Sequence, residues 1–388
     1  MRTLKRIVRE TDKVLLLICM LLSAFGTLMV TSTTYRKIAE GSWISRDGYV
    51  MLLALGLGIG VCLFVSFIDY DFMLKLWPVV AAGCVIVMLL LFPFGSSPQG
   101  RDDAISWFKI TETLYFQPSE VVKIGFIITF AWHLEKVKRD INSLLNVFLL
   151  CVHAGIPIVL VVLTGDLGSA LVFMLMFIIL MFIAGVHWLY FVSGAAICCA
   201  AVPVIWYKVF GTIQRNRFLA LIYPDRYPDE IYQQQRAQTA IKAGGLFGQG
   251  LFSGKSTQSG AVPEIQNDMI FAAVCEELGF IGAVALILLF MVLIARIVYV
   301  GKRSGSFSAF LMCCGVAVMI GGQAIINIGM CTQLLPVIGI TLPLISAGGS
   351  SVICTYLAIG VVLSVYRYSC VQKTPDDFRY RRISTPFE

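Results

Sequence analysis

Three carboxylates stand where chemistry is most expected. Asp268 closes a polar segment and directly precedes an apolar run from Met269 to Ala295. Glu276 and Glu277 lie about two turns inside that run. Carboxylates transfer protons and hold cations. At membrane depth they are costly, and they are functional more often than decorative. The competing reading is an interfacial Asp that caps a helix, with a Glu pair satisfied by neighbouring helices.

Four other stretches carry polar groups against apolar surroundings. Phe116–Ile124, FQPSEVVKI, places Pro118 in a first helical turn and sets Glu120 and Lys123 three residues apart, on one face. Such a pair either holds a polar cavity open or forms a structural ion pair. Ala243–Gly254, AGGLFGQGLFSG, has five glycines but no preceding strand, which argues against a dinucleotide site and for a flexible or re-entrant loop. Leu335–Ser351, LPVIGITLPLISAGGSS, contains Pro336, Pro343, Gly348 and Gly349. It reads as a broken helix lining a cavity or as an interhelical loop. Gly211–Asn267 carries Arg215, Arg217, Arg226, Arg236, Lys242 and Lys255. Anionic headgroups or a phosphate-bearing substrate would account for that charge.

The elements that must position these groups are membrane helices. The chain has 388 residues, 58% hydrophobic and 14% charged, with mean hydropathy +0.84. Soluble domains carry about 25% charged residues, so the fold class is all-α polytopic membrane protein. Spans are expected near Val14–Thr31, Tyr49–Ile68, Leu76–Phe94, Pro118–Leu134, Leu144–Leu163, Leu167–Ala184, Trp188–Phe210, Met269–Ala295, Phe307–Gly329 and Leu342–Tyr366. That makes about ten transmembrane helices (residues 14–366), a cytoplasmic tail at 1–13, another at 367–388, and a large extracellular loop at 211–267 between helices seven and eight. The loop is too poor in helix or strand periodicity for an independent domain. Lys and Arg bias sets the orientation: seventeen on the terminal side against five in the short opposite loops. Both termini are therefore expected in the cytoplasm. Twelve cysteines without a CxxC pattern read as packing residues, and three scattered histidines give no metal-ligand spacing. The net charge of +7 follows topology and does not point to nucleic acid. The basic tail RYRR could touch anionic membrane lipid.

FQPSEVVKI, TGDLGSA, YQQQRAQTAIKAGGLFGQG, VPEIQNDMIFAAVCEELGF and LPVIGITLPLISAGGSS, in this order, resemble the SEDS family of RodA, FtsW and SpoVE. The likeness covers nearly the whole chain. It implies a peptidoglycan glycosyltransferase that polymerises lipid II outside the bacterial cytoplasmic membrane, for division, elongation or sporulation. It also implies a class B penicillin-binding protein as partner. The family's acidic residue in P-E-x-x-T-D-F-I-F falls on Asp268, and its P-S-E-x-x-K falls on Glu120 and Lys123. The chain departs from the family at Gly165–Ala170, at Asn267 in place of Thr, at Ala347-Gly348-Gly349 in place of Tyr-Gly-Gly, and at Ser106-Trp107 in place of Arg-Trp. Arg101 is a substitute for that missing basic residue.

The implied reaction displaces a lipid pyrophosphate by a sugar hydroxyl. Asp268 is the candidate catalytic base. A retaining pair needs carboxyls about 5–5.5 Å apart. Eight residues of helix would separate Asp268 and Glu276 by about 12 Å, so a single base and inversion fit better. Arg215, Arg217, Arg236, Lys242 and Lys255 are candidates for the pyrophosphate. A divalent cation, Mg²⁺ or Mn²⁺, could share the work, with Asp268 or Glu264 as ligand. Two rival classes are a lipid II flippase and a non-catalytic scaffold. A transporter would place coupling groups near the midplane, often on repeated halves, and no repeat is evident.

Overall fold

The computed structural model describes residues 11–37, 44–97, 104–111 and 115–371. Most of the N-terminal tail, the C-terminal tail beyond Val371, and Arg101 lie outside these residues. The helices are α1 (Lys13–Thr33), α2 (Arg46–Ser66), the short α3 (Tyr70–Lys75), α4 (Trp77–Phe94), α5 (Pro118–Lys136), α6 (Leu144–Leu163), α7 (Leu167–Ile183) and α8 (Trp188–Val204). After them come α9 (Thr212–Ile222), α10 (Pro228–Gly244), α11 (Lys255–Ser259), α12 (Ile270–Ser304), α13 (Phe307–Cys331) and α14 (Gly349–Val365). A small antiparallel pair, β1 (Phe108–Lys109) with β2 (Tyr115–Phe116), lies between α4 and α5.

Among the described residues, eight helices are long and apolar enough to cross a membrane. Two more complete the expected ten. The apolar α7 has 17 residues, and α5 is excluded from the eight by Glu120, Lys123, Glu135 and Lys136. The protein is therefore a multi-pass membrane protein. The helices cross alternately, so α1 begins on one face, called the near face, and α9 to α11 lie on the far face.

The centre of the bundle is α13. Nearly every residue from Ser308 to Cys331 is buried, and α5, α7, α12 and α14 pack around it. Small residues let backbones approach, as usual where lipid offers no hydrophobic drive between helices. A Cβ on Gly315 would meet Ile127 of α5, and one on Gly58 would meet the Tyr356 ring of α14. By contrast, no residue of α8 is buried.

The structure corrects two sequence expectations. The last span begins at Gly349 and not at Leu342. Residues 332–348 form no helix, yet Ile340, Leu342, Leu344, Ile345 and Ser346 are buried. Irregular backbone at this depth survives because protein covers it. The far-face segment is also more helical than its periodicity suggests. The buried face of α10 is Ile231, Gln234, Ala237, Ala240 and Gly244. Small and polar residues occupy the helical register, so the hydrophobic period is faint. A tight turn, Thr164–Asp166, joins α6 to α7.

Candidate active site

Asp268 is 4% exposed and lies two residues before α12. Met269 is the N-cap, without a side-chain cap hydrogen bond. The loop is fixed from three sides. Asn327 of α13 donates from Nδ2 to the Asp268 carbonyl (2.8 Å) and to the Ile340 carbonyl (2.8 Å). Ser346 Oγ donates to the Asn267 carbonyl at 2.6 Å, and the Ala347 N–H donates to the Gln266 carbonyl at 2.8 Å. From α10, Gln233 donates to the Pro263 carbonyl at 3.1 Å. Its neighbour Gln234 donates to the carbonyls of Met330 and Leu335 at the open end of α13. Such helix-end carbonyls need outside partners.

Glu264 and Leu344 take left-handed backbone, with φ of 50° and 64°. For such residues this conformation costs on the order of 1–3 kcal/mol each and persists where surroundings over-determine it. Both lie in the two loops that meet at Asp268. The Glu264 carboxylate accepts from Asn267 Nδ2 at 2.6 Å.

Glu276 and Glu277 are held by α1, α11 and the glycine-rich loop. Each is fully buried. Glu276 accepts from the N–H groups of Ser256 (2.7 Å) and Thr257 (2.8 Å) and from Thr257 Oγ1 (2.6 Å). Glu277 accepts from Ser32 Oγ at 2.6 Å and from the Phe252 N–H at 3.2 Å. They anchor the glycine-rich loop to α1 and α12. That loop replaces missing helix hydrogen bonds. At Gly279, with φ 68°, α12 is broken. The N–H groups of Phe280 and Ile281 then donate to the carbonyls of Gly245 and Leu246, while those of Gln249 and Gly250 donate to the carbonyls of Glu276 and Glu277. A Cβ on Gly279 would strike Gly248 and Leu246.

The expected pair on α5 forms. Lys123 Nζ lies 2.7 Å from Glu120 Oε1, and neither reaches solvent appreciably. Gln323 of α13 approaches the same oxygen at 3.5 Å. Sequence reading missed Gln323 and Asn327. Their signal was present: two carboxamides four apart, on one face of an otherwise apolar span.

The basic candidates separate. Arg217, with Gln214, lines a small far-face cavity together with Trp107, Gln117, Asp166 and Ile338. There Asp166 accepts from Gln117 Nε2 (2.6 Å) and Ser119 Oγ (3.1 Å), and caps α7 through the Ser169 N–H. Arg215 turns to the Phe210 carbonyl with Nε and Nη2. Arg236 is exposed, 5.0 Å over the Tyr232 ring, one turn along α10 from the Gln233 that holds Pro263. Lys242 and Lys255 are exposed beside the glycine-rich loop. Among the described residues, no three His, Cys, Asp or Glu side chains converge on a metal position.

Residues 12–370 match the cell cycle protein family of FtsW, RodA and SpoVE. The chain belongs to this family. It is 32% identical over 370 residues to the probable peptidoglycan glycosyltransferase FtsW of Geobacter sulfurreducens, covering 92% of this chain and 95% of that one. It is 31% identical over 288 residues to the peptidoglycan glycosyltransferase MrdB of Escherichia coli K12, covering 74% and 76%. Among solved structures, a chain of a peptidoglycan synthase complex that coordinates polymerization and crosslinking superposes with TM-score 0.79, at 27% identity over 93% of this chain and 99% of that one. The rod shape determining protein RodA of Thermus thermophilus superposes with TM-score 0.68, at 25% identity over 93% and 98%. For this FtsW/RodA/SpoVE chain, family membership and the ten-helix fold agree. The five sequence motifs converge on the far face and the spans beneath it.

Proposed function

We propose that this chain is a peptidoglycan glycosyltransferase that polymerises lipid II at the outer face of the bacterial cytoplasmic membrane. One observation carries the reading within the family: a buried carboxylate, Asp268, held by backbone clamps at a far-face loop. In this reading the near face is cytoplasmic, with both termini, and 211–267 is extracellular. A class B penicillin-binding protein would crosslink the product.

Glycan extension forms a bond from an acceptor 4-hydroxyl oxygen to a donor anomeric carbon. The bond from that carbon to the pyrophosphate oxygen breaks. Asp268 accepts the hydroxyl proton, and undecaprenyl diphosphate departs with the electron pair. Glu276 is committed to Ser256 and Thr257, so no second carboxylate is available from α12 as nucleophile. A single base with inversion fits this arrangement better than a retaining pair. Arg217 and Arg236 are the favoured pyrophosphate ligands. Arg217 lines a cavity, and Arg236 stands beside the Asp268 loop. Arg215, Lys242 and Lys255 would act from further out. Glu120 and Lys123 support the polar interior beneath the site. Mg²⁺ or Mn²⁺ would suit one or two carboxylates plus substrate phosphate oxygens, and Asp268 and Glu264 are the carboxylates at hand. Bound there, the cation would neutralise pyrophosphate charge.

The test is polymerisation of labelled lipid II in liposomes with the partner transpeptidase and either cation. Wild type should make glycan strands. Asp268→Ala and Asp268→Asn should lose roughly 10²–10⁴-fold while remaining folded. Movement of lipid II between leaflets without polymer, in the presence of an active partner, would sink the reading in favour of a flippase.

A further inference from the structure

A second concave space, a groove open on one side to the surroundings of the bundle, lies away from Asp268. It measures about 360 Å³ and runs between α4, α5 and α6. Trp77, Met88, Val122, His133, Leu149 and Leu160 mark its two ends. On each helix the lining spans twelve residues, which is about 16 Å from the first to the last. That is about half of a 30 Å hydrocarbon core, the depth of one leaflet. The volume falls in the range of ligand sites, roughly 300–1,000 Å³.

The near-face end is built differently from the rest. Trp77 and Trp132 stack there at 4.0 Å. Lys136 Nζ sits 5.0 Å from the Trp132 ring centre, and Lys75 is exposed two residues before Trp77. His133 follows Trp132 in α5, one turn from Lys136, and His153 of α6 meets it. His133 Nδ1 and His153 Nδ1 are 3.1 Å apart, and His153 Nε2 is 3.1 Å from Thr129 Oγ1. His133 Nε2 is left without a hydrogen bond among the described residues. The groove thus descends from cations, through a polar shelf, to an apolar floor. A phospholipid shows the same order: phosphate, ester linkage, acyl chain.

We propose that this groove binds one anionic phospholipid of the near-face leaflet. One acyl chain lies between α4, α5 and α6, the ester region meets His133 and His153, and the phosphate meets Lys75 and Lys136. The site is separate from the lipid-linked substrate, whose chemistry belongs to the opposite face.

The experiment is native mass spectrometry of the purified full chain in detergent. The protein is offered equal amounts of phosphatidylglycerol and phosphatidylcholine with identical chains. Wild type should retain a single phosphatidylglycerol in at least tenfold preference. Ala81→Trp fills the groove from α4, and Ile156→Trp fills it from α6. Whichever of them keeps the wild-type unfolding temperature should lose that lipid at least tenfold. Ala196→Trp, on the exposed surface of α8, should not. Replacing Lys75 and Lys136 by Gln should leave a lipid bound and lower the preference by about fivefold per lysine, from roughly 1 kcal/mol each. Equal retention of the two lipids by wild type, or undiminished retention in a folded groove-filled variant, would overturn the proposal.

Discussion

Gln323 and Asn327 stand one turn apart on one face of α13 and tie it to two different motifs. Gln323 approaches the Glu120 carboxylate at 3.5 Å, and Asn327 holds the Asp268 carbonyl at 2.8 Å. Four residues of helix are about 6 Å. The buried ion pair of α5 and the loop of the candidate base are therefore anchored to neighbouring turns of one buried helix. A displacement of α13 would move both.

Asn327→Ala frees the carbonyls of Asp268 and Ile340 together. A buried carbonyl left unsatisfied costs about 1–3 kcal/mol. The variant should lower the unfolding temperature and slow lipid II polymerisation at least tenfold. Asn327→Leu, which keeps the bulk but not the donor, should slow it comparably. Normal turnover in a folded Asn327→Leu protein would mean that the clamp does not position Asp268.

The pair of Glu120 and Lys123 should behave as one unit. Removing one partner of a buried pair costs about 3–5 kcal/mol, because the other charge is left alone. Glu120→Gln and Lys123→Met should each destabilise strongly, and the double variant should destabilise less than their sum. Thermal unfolding of all four proteins in one detergent reads this coupling directly.

Gly279→Ala combines a left-handed φ with a clash against Gly248 and Leu246. The glycine-rich loop would have to leave the break in α12. We expect a loss of a few kcal/mol, by analogy with overpacked sites, and easier proteolysis between Gly245 and Gly260. Glu276→Ala should loosen the same loop, since Ser256 and Thr257 lose their acceptor. Limited proteolysis followed by mass mapping checks both.

Among the basic residues, the cavity separates roles. Arg217→Ala should raise KM for lipid II and lower kcat/KM by at least tenfold. Lys242→Ala and Lys255→Ala, exposed beyond the site, should change kcat/KM by less than threefold at physiological salt, where exposed charges are screened. Steady-state kinetics with short-chain lipid II analogues would distinguish them.

The sequence by itself determined the class of fold, the number of spans and the pairing of Glu120 with Lys123. These follow from local rules: twenty apolar residues cross a bilayer, and residues three apart share a helix face. The motif order also marked Asp268. The roles of the other two carboxylates were not legible. Glu276 and Glu277 accept from residues about 20–25 positions earlier in the chain and from Ser32 on α1, and only packing brings those together. The helix in 228–244 was hidden because Gln234, Ala237, Ala240 and Gly244 face inward, where carbonyls and close backbones reward small and polar residues over apolar ones. The anchoring of Asp268 belongs wholly to the tertiary structure. Asn327, Ser346 and Gln233 come from three separate segments, and no periodicity within any one of them specifies which carbonyl it will meet.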